Sequence, residues 1–122
     1  MTIVIERKHE HFVGEVSGID CRQAVTKEDG QLLNEALDQF GVLIFRKQAF
    51  TDLEQITFSK IFGEIELAKG GNVTKDKDRR LDVQMADVSN LDKDGNLLER
   101  SDRRRMFNLG NRLWHSDSSV SY

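Results

Sequence analysis

The sequence predicts an α+β domain, and three features of its pattern carry that prediction. Short apolar or alternating stretches recur at residues 2–6, 12–16 and 42–45, each the length of one strand. Two segments open on a threonine with an acidic residue three positions later and continue with apolar residues at helical spacing. A third region places Asp94-Gly95 between strand-like stretches, the signature of a hairpin turn.

Taken in order, residues 2–6 alternate loosely and read as a strand. Residues 12–16 read as a second, with Phe12, Gly14 and Val16 on one face and Val13 and Glu15 on the other. Ser17-Gly18 marks a turn. Thr26 and Asp29 form a variant capping box, and Leu32, Leu33, Ala36, Leu37 and Phe40 paint one face of the helix that follows. Gly41 supplies its stop signal. The continuous apolar run Val42, Leu43, Ile44, Phe45 reads as a buried central strand. Thr51 and Glu54 cap a second helix, with Leu53, Ile56, Phe58 and Ile61 inward and an end at Phe62-Gly63. Residues 64–80, with two glycines and several charges, read as a mobile surface loop. Strand character returns at residues 81–88, and Leu97 and Leu98 form the return strand of the hairpin.

The 122 residues suffice for one small domain, so residues 1–122 are expected to form a single unit. The balance of 38% hydrophobic and 32% charged residues is that of a globular chain, and the net charge of −3 argues against nucleic acid as a partner. The two basic stretches, 75–80 and 103–105, fit a solvated face or an internal ion-pair network instead. Cys21 is the only cysteine, which excludes an intrachain disulfide and a cysteine-rich zinc site. The first residues lack the apolar core of a signal peptide, and no apolar run approaches the ~20 residues of a membrane span. A cytoplasmic location without membrane partners is the expectation.

The sharpest motif is Trp114-His115-Ser116-Asp117-Ser118-Ser119. On a strand, His115 and Asp117 would point to one face, where an imidazole nitrogen and a carboxylate oxygen reach a common ion. That is half of a two-His-one-carboxylate site, which binds iron(II) and leaves positions open for co-substrate and O₂. By itself the triplet is a weak signal that arises often by chance, and it better describes a surface turn with a hydrogen-bonded histidine. The run Asn90-Leu91-Asp92-Lys93-Asp94-Gly95 imitates a calcium loop, but the twelfth position is Ser101 where a bidentate Glu is needed.

Context enlarges the motif. Gly41 to Arg46, Phe62-Gly63-Glu64-Ile65, Ala86-Asp87-Val88-Ser89-Asn90, Asp94-Gly95 and Asn111 to Ser119 follow one another in an order and spacing that resemble the TauD/TfdA family of iron(II)/2-oxoglutarate-dependent dioxygenases. The resemblance covers nearly the whole chain from about Phe12. It implies a double-stranded β-helix, or jelly roll, with flanking helices, of which this chain is the amino-terminal part. It also implies Fe(II) as metal with His115 and Asp117 as two of its ligands, and 2-oxoglutarate and O₂ as co-substrates. The family's third histidine ligand and its 2-oxoglutarate-binding arginine fall beyond Tyr122, so these residues are expected to be inactive alone. His9 and His11 match no ligand position and read as surface histidines.

The resemblance further implies substrate contacts at Asn111, Lys69 and Asn72, with a small anionic substrate such as an aryloxyalkanoate or sulfonate. It assigns no separate catalytic or cofactor-binding side chain. The sequence departs from the phenoxyacetate pattern at residues 67–72 and at Asn96, where a lysine is expected, so the substrate itself stays open. Missing strand partners suggest a homo-oligomer. Two other readings remain: a truncated non-catalytic remnant, and a small binding module in which His115 and Asp117 are structural.

Overall fold

The computed structural model describes residues 2–68 and 74–116, and of Asn111 the backbone only. The chain divides into two compact units, Met1–Ile65 and Glu66–Tyr122. Among the described residues no helix is long and apolar enough to cross a membrane.

The first unit is a three-stranded sheet covered by helices. β1 (Val4–Arg7) pairs antiparallel with β2 (Gly14–Ser17), and β2 pairs parallel with β3 (Leu43–Phe45), giving the order β1-β2-β3. A parallel neighbour needs a crossover, and α1 (Lys27–Phe40) supplies it. Thr26 accepts the Asp29 N–H at the start of α1, and Gly41 closes its end in the left-handed region at φ 70°, its N–H bonded to the Leu37 carbonyl. Leu33, Ala36 and Phe40 of α1 are buried, as are Val16 of β2, Cys21 and Ile56. α1 packs so closely on the sheet that a Cβ on Gly14 would lie 2.9 Å from the Phe40 ring.

α2 (Asp52–Ser59) begins in the full Thr51–Glu54 capping box and continues into a 3₁₀ turn, Lys60–Phe62, ended by Gly63. Asn34 ties that turn to α1: its Nδ2 donates to the carbonyls of Gly30 and Ile61, each at 2.8 Å. Phe58 sits among Phe45, Phe50 and Phe62 at ring distances of 5.2, 5.9 and 5.8 Å.

Three expectations are corrected in this unit. β2 starts at Gly14 because Val13 turns the chain at φ 71°, and Phe12 stays exposed instead of sharing the face of Val16. β3 is an edge strand, half-buried, because among the described residues it pairs with β2 alone. Leu53 lies on the outer side of α2, 72% exposed, while Ile56 is buried and Phe58 packs against the ring of Phe45.

The second unit is largely irregular. The strand expected over residues 81–88 does not form: Asp82 accepts the Gln84 N–H on its side chain and the Met85 N–H on its carbonyl, which coils the segment into a turn. The hairpin at Asp94-Gly95 is present, with Gly95 at φ 83°, the Asp92 N–H bonded to the Asn96 carbonyl and a single bridge between Leu91 and Leu97. Leu98 beside it is buried. The basic run at 103–105 opens a short helix unforeseen from sequence, α3 (Arg103–Asn108), capped by Asp102 and followed by a 3₁₀ turn, Leu109–Arg112.

Candidate functional site

The approach to the His-x-Asp motif is built by α3 and the Leu109–Arg112 turn, after which Leu113 extends the backbone at φ −96° and ψ 144°. Asn111 lies within that turn. No paired strand forms over residues 113–116, so the same-face geometry expected for His115 and Asp117 has no sheet to impose it there. His115 is exposed, and its Nδ1 stands 2.7 Å from the Leu113 carbonyl. A carbonyl only accepts, so Nδ1 carries the proton in this hydrogen bond. A ring oriented in this way by a backbone carbonyl is the arrangement in which a histidine meets a divalent metal through Nε2. Asp117, Lys69 and Asn72 lie outside the described residues. Among the described residues no group of three His, Cys, Asp or Glu side chains converges on a metal position.

The calcium-like loop is occupied by its own backbone. The Asp92 carboxylate accepts the N–H groups of Asp94 and Asn96, each at 2.9 Å, and these bonds, with Asn96 first, hold it below the usual carboxylate range. His9 and His11 are exposed, as expected. Cys21 is buried, and burial pushes its thiol up to about 11, which leaves it inert.

A feature that sequence reasoning missed lies within the second unit: a cavity of about 260 Å³. Leu81, Met85, Leu91 and Leu98 give it an apolar wall, and Arg79, Arg80 and Arg104 bring three guanidinium groups to it. Arg80 grips Asp87 with two bonds of 3.0 and 2.9 Å, and Arg104 grips Asp102 with bonds of 3.1 and 2.8 Å. Each arginine holds its partner carboxyl below the ordinary range. The ion-pair reading of the two basic stretches is met by these contacts. Their convergence on one cavity needs the folded turn at Asp82–Met85 and the docking of α3, neither of which has a periodic signal.

The family model for the taurine catabolism dioxygenase TauD, TfdA family matches residues 6–122. The chain belongs to the TauD/TfdA family. It is 35% identical over 121 residues to an α-ketoglutarate-dependent 2,4-dichlorophenoxyacetate dioxygenase of Cupriavidus pinatubonensis, covering 98% of this chain and 41% of that protein. A match of 33% identity over 91 residues links it to an (S)-phenoxypropionate/α-ketoglutarate dioxygenase of Delftia acidovorans, over 71% of this chain and 27% of the relative. Among solved structures, AAD-2 in complex with Mn(II) and N-oxalylglycine superposes with a TM-score of 0.87 at 50% identity, over 98% of this chain and 41% of that one. A taurine dioxygenase from Burkholderia xenovorans superposes at 0.52 with 26% identity, over 57% of this chain and 26% of its own. The chain therefore spans well under half the length of these relatives.

Proposed function

We propose that residues 1–122 are the amino-terminal part of one dioxygenase domain that uses iron(II), 2-oxoglutarate and O₂ to hydroxylate a small organic anion, an aryloxyalkanoate or a sulfonate. The observation that carries this reading is the family match over residues 6–122, a range that includes Trp114-His115-Ser116-Asp117. The relatives' own names supply the substrate class: two act on phenoxyacetate- or phenoxypropionate-type acids with α-ketoglutarate. The AAD-2 complex with Mn(II) and N-oxalylglycine supports a divalent metal and a small diacid co-substrate. The jelly roll belongs to this proposal, and so does the assignment of both compact units to one domain.

The donor set fits the metal. His115 offers an imidazole with Nδ1 bonded to the Leu113 carbonyl, and Asp117 offers a carboxylate two residues on. Iron(II) with 2-oxoglutarate and O₂ supplies the oxidising power for hydroxylation when bound. The work of this chain is then to hold and orient. Leu113 fixes the ring of His115, and Asn111, Lys69 and Asn72 face the substrate. Exposed Met106, Phe107, Leu113 and Trp114 add support, since a run of apolar side chains this bare is normally covered in a finished fold. The outer edge of β3, unpaired among the described residues, suits pairing with further strands of the domain or with a second copy, in a cytoplasmic homo-oligomer.

The test is to produce the protein at its full natural length and measure succinate and hydroxylated product separately over a panel of aryloxyacetates and small sulfonates. Iron-dependent succinate formation with at least one of them is the expected result. His115→Ala should abolish it. Asn111→Ala should lower product while leaving part of the uncoupled 2-oxoglutarate consumption in place. A protein that forms no succinate with any of them, with or without iron, removes the dioxygenase reading and leaves the binding module.

A further inference from the structure

α3 and the turn after it carry the chain to His115, and two side chains of α3 fasten them to the hairpin segment before it. Asn108, the last residue of α3, donates from Nδ2 to the Ser89 carbonyl at 2.6 Å, across 19 positions of sequence. Arg105, about one turn earlier, donates from Nη1 to the Leu98 carbonyl at 3.3 Å. Both acceptors belong to a closed frame. The Leu98 N–H bonds the Asn90 carbonyl at 2.8 Å, the Ser89 hydroxyl accepts the Leu91 N–H at 3.3 Å, and Leu98 is buried. An asparagine at a helix end commonly serves the backbone beside it. Asn108 precedes the Leu109–Arg112 turn without capping it, and its amide is spent on Ser89 instead. Asn108 and Ser89 are both half-buried, so water competes less for this bond than at the surface. From Asn108 onward the chain reaches His115 through local links: the Leu113 N–H bonds the Gly110 carbonyl at 3.0 Å, and the Leu113 carbonyl holds the His115 ring.

We propose that Asn108 is the positioning residue of His115: its bond to the Ser89 carbonyl fixes where the Leu109–Arg112 turn starts and thereby where the histidine stands. The step from histidine to metal rests on the dioxygenase reading above. Asn108 acts through the backbone and not by touching the metal. An arm tied at its base is already ordered when the metal arrives, so binding does not bear the entropy of ordering it. Linkage makes the effect reciprocal: metal binding must tighten the Asn108–Ser89 bond by the same factor.

Mn(II) alone is the probe, titrated into the full-length protein and followed by the electron paramagnetic resonance signal of the free ion. Asn108→Ala removes the donor, and Asn108→Asp keeps its size while setting a carboxylate against the Ser89 carbonyl. Each should weaken Mn(II) binding about fivefold to tenfold, the effect of one ordinary hydrogen bond. Asn34→Ala is the control. It removes two bonds of the same kind in the first unit, should lower the urea midpoint, and should leave Mn(II) affinity where it was. Equal affinity in the unaltered and Asn108 proteins, or an equal loss in Asn34→Ala, overturns the role. If both Asn108 variants fail to fold, the unaltered protein decides: Zn(II), as a diamagnetic probe, should slow exchange of the Asn108 side-chain amide protons, and an unchanged rate overturns the role. The ring resonances of His115, followed without metal and assigned by their loss in His115→Gln, separate this role from the reading it rests on. In a protein that binds no Mn(II), the iron assignment is lost; a His115 ring that shifts in Asn108→Ala then keeps Asn108 as its anchor, and a ring left in place removes that as well. A protein that binds Mn(II) through His115 and forms succinate while Asn108 is indifferent keeps the dioxygenase and loses the role.

Discussion

The carbonyl of Leu113 accepts from Nδ1 of His115 and so keeps a proton on that nitrogen. That detail was not readable in the sequence. The motif gave the residue types and their spacing, while the hydrogen bond depends on the backbone and ring orientation at residues 113–115. Gly14 makes the same point in packing. Its place on one face with Val16 was legible from alternation, yet its contact with Phe40 of α1 was not, since the two lie 26 positions apart. Ala at Gly14 would put a methyl 2.9 Å from the Phe40 ring and 3.1 Å from the Ile5 side chain. We expect Gly14→Ala to cost about 1–3 kcal/mol through overpacking, read as a lower urea midpoint with unchanged slope. An unshifted midpoint would mean that α1 can lift off the sheet at no cost.

Among the elements, the three strands of the first unit and its two capped helices were foreseen, while the turn at Asp82–Met85 and α3 were not. The caps of α1 and α2 came directly from Thr26–Asp29 and Thr51–Glu54, because a cap is closed within one turn. The Asp94-Gly95 hairpin was equally local. The stretch 81–88 has strand composition, but pairing must come from elsewhere, and locally Asp82 offers the backbone a turn instead. α3 escaped notice because Arg103 to Arg105 read as a charge run, although Asp102 before them is a good cap. The α2 cap gives a prediction at this scale. Thr51→Ala removes the acceptor for the Glu54 N–H and one of the two Thr51 donors to the Glu54 carboxylate, the backbone N–H remaining, and should cost about 1 kcal/mol. Amide exchange in Asp52–Ser59 should accelerate more than in α1, whereas equal acceleration in both helices would show that α2 has no separate stability.

For the molecule as a whole, several acidic groups share one pH behaviour. The Arg22 side chain beside Asp20 lowers its carboxyl to about 2, and Asp102, Asp87 and Glu54 are lowered by Arg104, Arg80 and the Thr51 backbone N–H. Below their unfolded values near ~4, the unfolded chain binds more protons than the native one, so stability rises with pH there. It should be level from about pH 5 to 8 and fall as pH drops from about 4 towards 2. The fall will be modest, since these pairs are near the surface and screened. Urea midpoints at pH 6, 4 and 3 check this, and an unchanged value at pH 3 would show that the pairs form only loosely. At this scale the family was legible early, because its motifs lie in order along the chain, while the arginine-lined cavity emerged only once separate segments had been folded around it.

The central claim is that His115 and Asp117 hold the iron of a dioxygenase, and Asp117 tests it most directly. In the full-length protein, bound iron and substrate-dependent succinate formation should be measured side by side for the unaltered chain and for Asp117→Ala. Removing one of three protein ligands should leave iron loosely held, and succinate formation should fall by a factor of about 100 or more. Full activity together with full iron content in Asp117→Ala would contradict the account.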